Sequence, residues 1–334
     1  MFVRVFRKVY WYTPILLLLI SGLLWLKLFI YPPDNLIVTG TGSGPLFDLL
    51  IPFFTDKPLL TAITSFVVLM VQVFYINQVA TSKEFTDRYS ALPGLIYLLL
   101  MSSTPAMISF YPLLFANLFL IPALNKLFDV YDEESISREL FNAGFLIAMA
   151  GLFYYPALTF YLALITSVFL YYIVSLRRII ASLLGLISPA LMLFVYFLLV
   201  DEFLHWYEEL TFVAKPLQLL ELEISIYQKL FIGVLSVFSI VAFLRMQLIY
   251  KTAKPIRTRK RITLLYLFFF ISVLSYLLAH DFSHVHHALL TIPLTITLAV
   301  FFYDMRSQRL TEILFGILLL FILAGRAMVY IISP

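Results

Sequence analysis

Long apolar runs, separated by short polar or proline-containing segments, follow one another along the whole chain. A helix needs about 20 mostly apolar residues to cross a bilayer, and the runs have about this length. The pattern predicts about eleven spans. They fall near 13–31, 58–79, 91–108, 110–127, 140–155, 157–176, 180–200, 226–248, 262–279, 288–303 and 310–331. Within 91–127 and 140–176, Pro105 and Pro156 each predict a tight hairpin. We therefore expect an all-α fold, a polytopic transmembrane helix bundle of about 11 spans (10–12). Residues 1–334 would form a single integral membrane domain with no soluble domain.

Composition strengthens this prediction and excludes several classes of protein. Of the 334 residues, 62% are hydrophobic and 13% are charged, against about 45–50% and about 25% in an ordinary soluble domain. A soluble enzyme and a nucleic-acid-binding protein are excluded, and no nucleic acid is expected as a partner. The chain has no cysteine, so disulfides and cysteine-based metal sites are also excluded.

The distribution of Lys and Arg predicts the orientation. With the N-terminus inside, 18 of the 23 Lys and Arg residues fall in cytoplasmic segments, as the positive-inside rule requires. The five on the other side are Lys27, Lys57, Lys215, Lys229 and Arg326. This partition predicts that the N-terminus and the basic run Lys251–Arg261 lie in the cytoplasm and that the C-terminus lies on the outer side, which is the periplasm if the membrane is a bacterial inner membrane.

The first outer segment carries two acidic residues that could serve an enzyme. Asp34 directly follows the first span and two prolines, and Asp48 lies in the run Pro45–Phe54, which predicts a short helix at the membrane surface. A carboxylate there could take a proton from an acceptor while a lipid phosphate leaves. The alternative is a capped loop of a helix bundle. The glycines of 40–44 lack the Gly-Lys-Ser/Thr ending of a phosphate-binding loop.

A histidine-rich segment is the candidate metal site. If it is helical, His280, His284 and His287 share one face, with Asp281 alongside. Such a set can bind zinc, iron or copper. Metal sites in membrane enzymes usually draw ligands from several helices, whereas one short segment supplies nearly all of these. We therefore expect no stoichiometric metal and no cofactor, and a solvated loop is the alternative.

Polar side chains inside the predicted spans suggest a third kind of site. Gln72, Asn117 and Asn142 could line a polar path for a transported substrate. Hydrogen bonding between neighbouring helices is the structural alternative.

Two segments carry a family resemblance. Arg88–Leu100 (RYSALPGLIYLLL) and Arg138–Pro156 (RELFNAGFLIAMAGLFYYP) resemble an uncharacterised family of polytopic inner-membrane proteins of Bacteroidota, a domain of unknown function. The resemblance implies a multi-pass protein of the bacterial inner membrane. In layout alone, the chain is also similar to membrane glycosyltransferases that use polyprenyl-phosphate sugars. This likeness implies that Asp34 or Asp48 stands where their acidic residue stands.

Three function classes stay open. One is an outward-facing glycosyl- or lipid-transfer enzyme acting on a polyprenyl-phosphate-linked substrate, and another is a transporter or flippase. The third is a non-catalytic subunit of an envelope assembly, whose partners would be other membrane proteins. Membrane lipid is a partner in every case.

Overall fold

The described part of the chain folds into α-helices. The computed structural model describes residues 2–7, 12–33, 35–40, 42–86, 90–130, 135–201, 226–253, 255–278 and 285–332. These ranges contain thirteen α-helices and two 3-10 helices, and no β-strand beyond two single-residue bridges. The predicted all-α class is confirmed for the described part of the chain.

The helices follow the predicted windows. The first seven are α1 (Phe2–Arg7), α2 (Thr13–Ile30), α3 (Pro45–Phe54), α4 (Pro58–Ser82), α5 (Leu92–Met101), α6 (Pro112–Asp129) and α7 (Ile136–Phe153). The next six are α8 (Tyr161–Leu170), α9 (Leu176–Leu199), α10 (Ile226–Ala253), α11 (Ile256–Leu278), α12 (Ala288–Tyr303) and α13 (Gln308–Ile332). Each predicted window overlaps one of them. Among the described residues, α2, α4, α6, α7 and α9 are long and apolar enough to cross a membrane, and the total number of crossings stays a prediction.

Burial separates central helices from peripheral ones. All ten residues of α5 are buried, and so is almost every residue of α12, as expected for helices that are apolar on every side. In contrast, only 22% of the apolar window of α9 is buried. The exposed side chains of α9 are mostly large and apolar, among them Leu184, Leu191 and Leu199. That surface is suited to lipid rather than to water.

Proline marks the two tight corners that the sequence predicts. A 3-10 helix at Pro105–Met107 joins α5 to α6, and another at Tyr155–Phe160 joins α7 to α8. Proline cannot donate the backbone hydrogen bond that would continue an α-helix, so the chain turns at these points. In the window predicted at 91–108, the α-helix therefore ends at Met101.

Ion pairs join helices at one end of the bundle, which we call the basic end. The Lys83 ammonium pairs with Asp129 at the end of α6, and Lys126 Nζ lies 2.9 Å from Glu139 Oε2 of α7. Arg261 of α11 donates to the backbone oxygen of Lys83 at 3.2 Å. Charged side chains thus tie α4, α6, α7 and α11 together at this end.

Helix α11 begins within the basic run, earlier than the window at 262–279 predicts. It starts at Ile256, and both Thr258 and Arg261 are buried. Lys260 Nζ lies 5.1 Å from the ring centre of Tyr172, a cation–π distance. Part of the run Lys251–Arg261 therefore packs against the protein, because these cations have partners there. The hydropathy window starts too late because the scale gives every Arg a strongly polar value, even one that is buried in the protein.

Helices α7 and α9 are in backbone-to-backbone contact at two glycines, Gly144 of α7 and Gly185 of α9. A Cβ on Gly144 would lie 2.4 Å from the backbone oxygen of Ser182. Small residues permit such contacts between membrane helices, where close van der Waals packing drives association. The α7–α9 pair supports the candidate site described next.

Candidate functional site

The segment that follows α2 pairs with both proline corners by backbone hydrogen bonds. Val38 N–H donates to Phe110 at 2.9 Å, and Phe110 N–H donates to Leu36 at 3.1 Å. Further along, Gly44 N–H donates to Phe153 at 2.9 Å, and the N–H of Tyr155 donates to Gly42 at 2.9 Å. We call residues 35–40 and 42–57, together with the two corners, the loop end, which lies opposite the basic end because α4 runs from one to the other. Its loop is held in extended form by the helix corners.

At two positions this loop lies so close to the α7 corner that only glycine fits. A Cβ on Gly44 would lie 2.2 Å from the backbone oxygen of Leu152, and a Cβ on Gly42 would lie 2.6 Å from the Tyr154 ring. Real Cβ atoms are not found at such distances, so any side chain at Gly44 must displace backbone. At Gly40, open space surrounds the corresponding position. The glycine-rich segment therefore serves packing, in agreement with its lack of a phosphate-loop ending.

Helix α3 lies against this loop end, where the sequence predicts a surface helix. Pro45 begins it and Phe47 is buried, with its ring centre 5.4 Å from that of Phe110. Phe54 contacts the same ring at 4.7 Å. Phe53 is exposed. The helix thus has a face anchored by aromatic rings and a face available to the membrane interface, as an interfacial helix requires.

Asp48 is half-buried in the first turn of α3. Successive residues of a helix are about 100° apart. Phe47 therefore points to the bundle, Leu46 and Leu49 point to a groove described below, and Asp48 lies on the remaining side. An acid in the first helical turn is also favoured by the helix dipole. The other candidate acid, Asp34, lies outside the described residues.

An apolar groove of about 290 Å³ runs between α3, α7 and α9. Its lining includes Leu46, Leu49, Met149, Leu152, Leu193 and Tyr196. Met192, also in the lining, is 69% exposed, so the groove opens on the exposed apolar side of α9. The volume is near the lower bound of small-molecule sites, about 300 Å³. The walls suit a hydrocarbon chain, because their exposed surface is almost wholly apolar.

Pro189 shapes the wall that α9 contributes. Proline inside a helix leaves the carbonyl four residues earlier without its N–H donor. Here that carbonyl belongs to Gly185, and the Ser188 hydroxyl donates to it at 3.0 Å. Serine commonly restores a hydrogen bond in this way in membrane helices. The Gly185 carbonyl in the groove wall therefore has a hydrogen-bond donor despite Pro189.

A tyrosine–histidine pair lies beside the loop end. The Tyr154 hydroxyl is hydrogen-bonded to His286 Nε2, and both residues are buried. The adjoining cavity of about 20 Å³ has room for about one water molecule. This pair therefore joins the α7 corner to the start of α12 rather than opening a substrate site. Sequence reasoning missed it, since nothing local to Tyr154 indicates a partner 132 positions away.

The metal hypothesis falls largely outside the described residues. His280 and His284 lie there, and His287, which precedes α12, is half-buried. Among the described residues, no group of three or more His, Cys, Asp or Glu could bind a metal ion. The expectation of no stoichiometric metal stays a prediction.

Two of the three polar residues proposed for a substrate path belong to one buried network. Tyr97 donates to Gln72 Oε1 at 2.7 Å, and Gln72 Nε2 donates to the Leu114 oxygen at 2.6 Å. Asn117 Nδ2 donates to the Ala288 oxygen at 2.9 Å and contacts the Tyr97 hydroxyl at 3.4 Å. These bonds join α4, α5, α6 and α12.

The third residue, Asn142, lies elsewhere. It is half-buried near the start of α7, and in the described part of the chain it makes no hydrogen bond to the Gln72–Tyr97–Asn117 network. The bonds of Gln72 and Asn117 are of the helix-to-helix kind, and the role of Asn142 stays a prediction.

Comparisons of the chain with family models, with curated proteins and with solved structures found no match.

Proposed function

We propose that this protein is an outward-facing membrane enzyme that transfers a glycosyl or lipid group from a polyprenyl-phosphate-linked substrate. The observation that carries the proposal is the apolar groove between α3, α7 and α9, which opens toward lipid beside the surface helix bearing Asp48. An enzyme acting on a lipid-linked substrate needs a binding site for the hydrocarbon tail. It also needs a catalytic acid or base at the membrane interface. The loop end offers both within a few residues of α3.

The tail would enter the groove sideways from the bilayer. Met192 at the mouth is largely exposed, while Leu193 one residue later is buried against α3 and α7. An isoprenoid chain in this position replaces lipid contacts with protein contacts. Its phosphate would then emerge at the level of α3, near the membrane–water interface.

Asp48 is the acid we assign to the acceptor. As the acceptor hydroxyl attacks the sugar carbon, its proton passes to the carboxylate, and the bond from carbon to phosphate oxygen breaks. The polyprenyl phosphate leaves with the electron pair, and the proton on Asp48 is released to water. General base catalysis of this kind contributes about 10²–10⁴-fold to rate. Asp34 remains the alternative base.

The other two classes predict different features. A transporter needs a polar path, whereas Gln72 and Asn117 are fully buried and bonded to neighbouring helices. An assembly subunit needs an apolar face that another protein covers, and the exposed aliphatic side chains of α9 are equally suited to lipid. The groove beside α3 is the feature that favours the transferase.

The catalytic part of the proposal is tested by replacing Asp48. In the native host, we expect Asp48→Asn to lower the rate of envelope glycan formation by at least about 100-fold. We expect Asp48→Glu to retain part of the wild-type rate. Asp56→Asn is the matched control, because Asp56 is exposed two residues after α3 and its φ of 65° is readily adopted by Asn. Equal accumulation is checked by blot. Unchanged glycans in Asp48→Asn would remove this residue from the mechanism.

The groove is tested separately by binding. The purified full chain in phosphatidylcholine nanodiscs is titrated with polyprenyl monophosphate. We expect Met149→Trp to weaken binding strongly because the indole fills the groove, while Asp48→Asn binds as the wild type does. Leu191→Trp is the control, since Leu191 lies on the lipid-exposed side of α9. Equal binding by all three variants would contradict the groove assignment and favour the transporter or subunit class.

A further inference from the structure

A second cleft, of about 420 Å³, lies between α1 and the first turns of α13. Its polar lining is Arg4, Arg7, Gln308, Arg309, Thr311 and Glu312. Arg7 reaches the C-terminal end of α12 and Phe6 contacts the segment before α5, both at the basic end. The cleft is therefore remote from the groove beside α3.

The short helix α1 is fixed in place, so the cleft has a built wall. The N–H groups of Val3 and Arg4 each donate to the Glu312 carboxylate at 3.2 Å. The backbone oxygen of Phe6 accepts the N–H of Ala91 at 2.9 Å. Phe6 itself is buried. Six residues that would not form a stable helix alone are thus bonded to two neighbouring segments.

The charged groups of the cleft fall into two sets. Arg7 is committed to structure, since its Nη2 donates to the backbone oxygens of Phe302 at 2.6 Å and Met305 at 3.1 Å. Glu312 is likewise committed to the amides of α1. Arg4 and Arg309 are exposed, and neither pairs with a carboxylate among the residues that the structure describes. In the described part of the chain, two guanidinium groups therefore line the cleft without a carboxylate partner.

The surface below Arg309 indicates what kind of anion binds. Arg309 lies at the head of an aliphatic stripe on α13, formed by Ile313, Ile317 and Leu320, which are 61%, 47% and 67% exposed. These positions share one helix face. Ile313 also lines the cleft. A guanidinium group above an apolar surface matches a phospholipid, whose phosphate lies above its acyl chains. Guanidinium donors are well matched to phosphate oxygens.

We propose that this cleft binds the phosphate headgroup of an anionic phospholipid, with the acyl chains lying along the stripe of α13. Inorganic phosphate shares the anion but not the hydrocarbon chain, so the two sources are separable by experiment. The inference does not depend on the proposed transferase, because the cleft and the groove use different helices and lie at opposite ends of the bundle.

Native mass spectrometry of the purified full chain in detergent provides the test. We expect dioleoyl phosphatidylglycerol to bind more tightly than dioleoyl phosphatidylcholine. Arg4→Gln with Arg309→Gln should weaken phosphatidylglycerol binding by about five-fold for each arginine removed. Arg306→Gln is the matched control, because Arg306 is an exposed arginine outside the cleft lining. It should bind as the wild type does.

Other outcomes overturn the proposal. Equal binding of the two lipids, or unchanged phosphatidylglycerol binding in the double variant, would show that the cleft does not select an anionic headgroup. Inorganic phosphate that displaces phosphatidylglycerol at equal concentration would assign the cleft to a soluble phosphate. If the double variant does not accumulate, Arg309→Gln alone decides, since the Arg309 side chain is exposed.

Discussion

A Cβ on Gly185 would lie 2.1 Å from the backbone oxygen of Phe141. Gly185 lies on α9 and Phe141 on α7, and the contact is backbone to backbone. No side-chain rotation can relieve it. The two helices can pack at this distance only while position 185 lacks a side chain, and the groove between α3, α7 and α9 depends on their spacing.

Gly185→Ala should therefore destabilise the protein. Overpacking of this kind costs about 1–3 kcal/mol, because α7 and α9 must separate to admit the methyl group. The measurement is unfolding of the purified protein in detergent. Gly316→Ala serves as the control, since open space surrounds the Cβ position at Gly316. If both variants lose the same stability, the close α7–α9 approach is not the cause.

Gly44→Ala should loosen the loop end. Its methyl group would meet the Leu152 carbonyl, and the Gly44 hydrogen bond to Phe153 would lengthen. We expect faster proteolytic cleavage near α3 together with a lower unfolding temperature. Gly40→Ala, in the same loop but in open space, should behave as the wild type does. Cleavage at equal rates in the two variants would contradict the role assigned to Gly44.

The local features of this fold could be predicted from the sequence. The lengths of the apolar runs predict where the long helices lie. The run Pro45–Phe54 predicts α3, because proline begins it and its aromatic residues give it an apolar face. Tight corners at Pro105 and Pro156 follow from proline chemistry. These predictions succeed since each depends on residues that are neighbours in the chain.

The contacts that build the candidate site could not be predicted in this way. The pairing of Val38 with Phe110, and of Tyr154 with His286, joins residues far apart in sequence. Hydropathy also treats Arg261 as solvent-exposed, although the Lys83 carbonyl and the end of α4 bury it. Tertiary contacts decide these positions, and a single sequence records no partner for them.

The buried network of Gln72, Tyr97 and Asn117 should behave as a link between helices. Tyr97→Phe removes the donor to Gln72 Oε1 and should cost about 0.6 kcal/mol, the average for such bonds in a membrane protein, and at most about 1.7 kcal/mol. Gln72→Leu should cost a similar amount. The double variant should lose less than the sum, because both changes remove the same bond. Additive losses would show that the two side chains do not stabilise each other.

Orientation is tested by labelling single cysteines introduced into this cysteine-free chain. The partition of Lys and Arg predicts that Arg259 faces the cytoplasm and that Lys57, between α3 and α4, faces the periplasm. Both positions are exposed, whereas the neighbouring Thr258 is buried and would label poorly on either side. An impermeant thiol reagent added to spheroplasts, whose inner membrane is intact, should label Lys57→Cys and spare Arg259→Cys. Permeabilisation should then expose Arg259→Cys, which controls for its reactivity. The reverse pattern would place α3 and Asp48 in the cytoplasm, where the proposed outward-facing reaction could not occur.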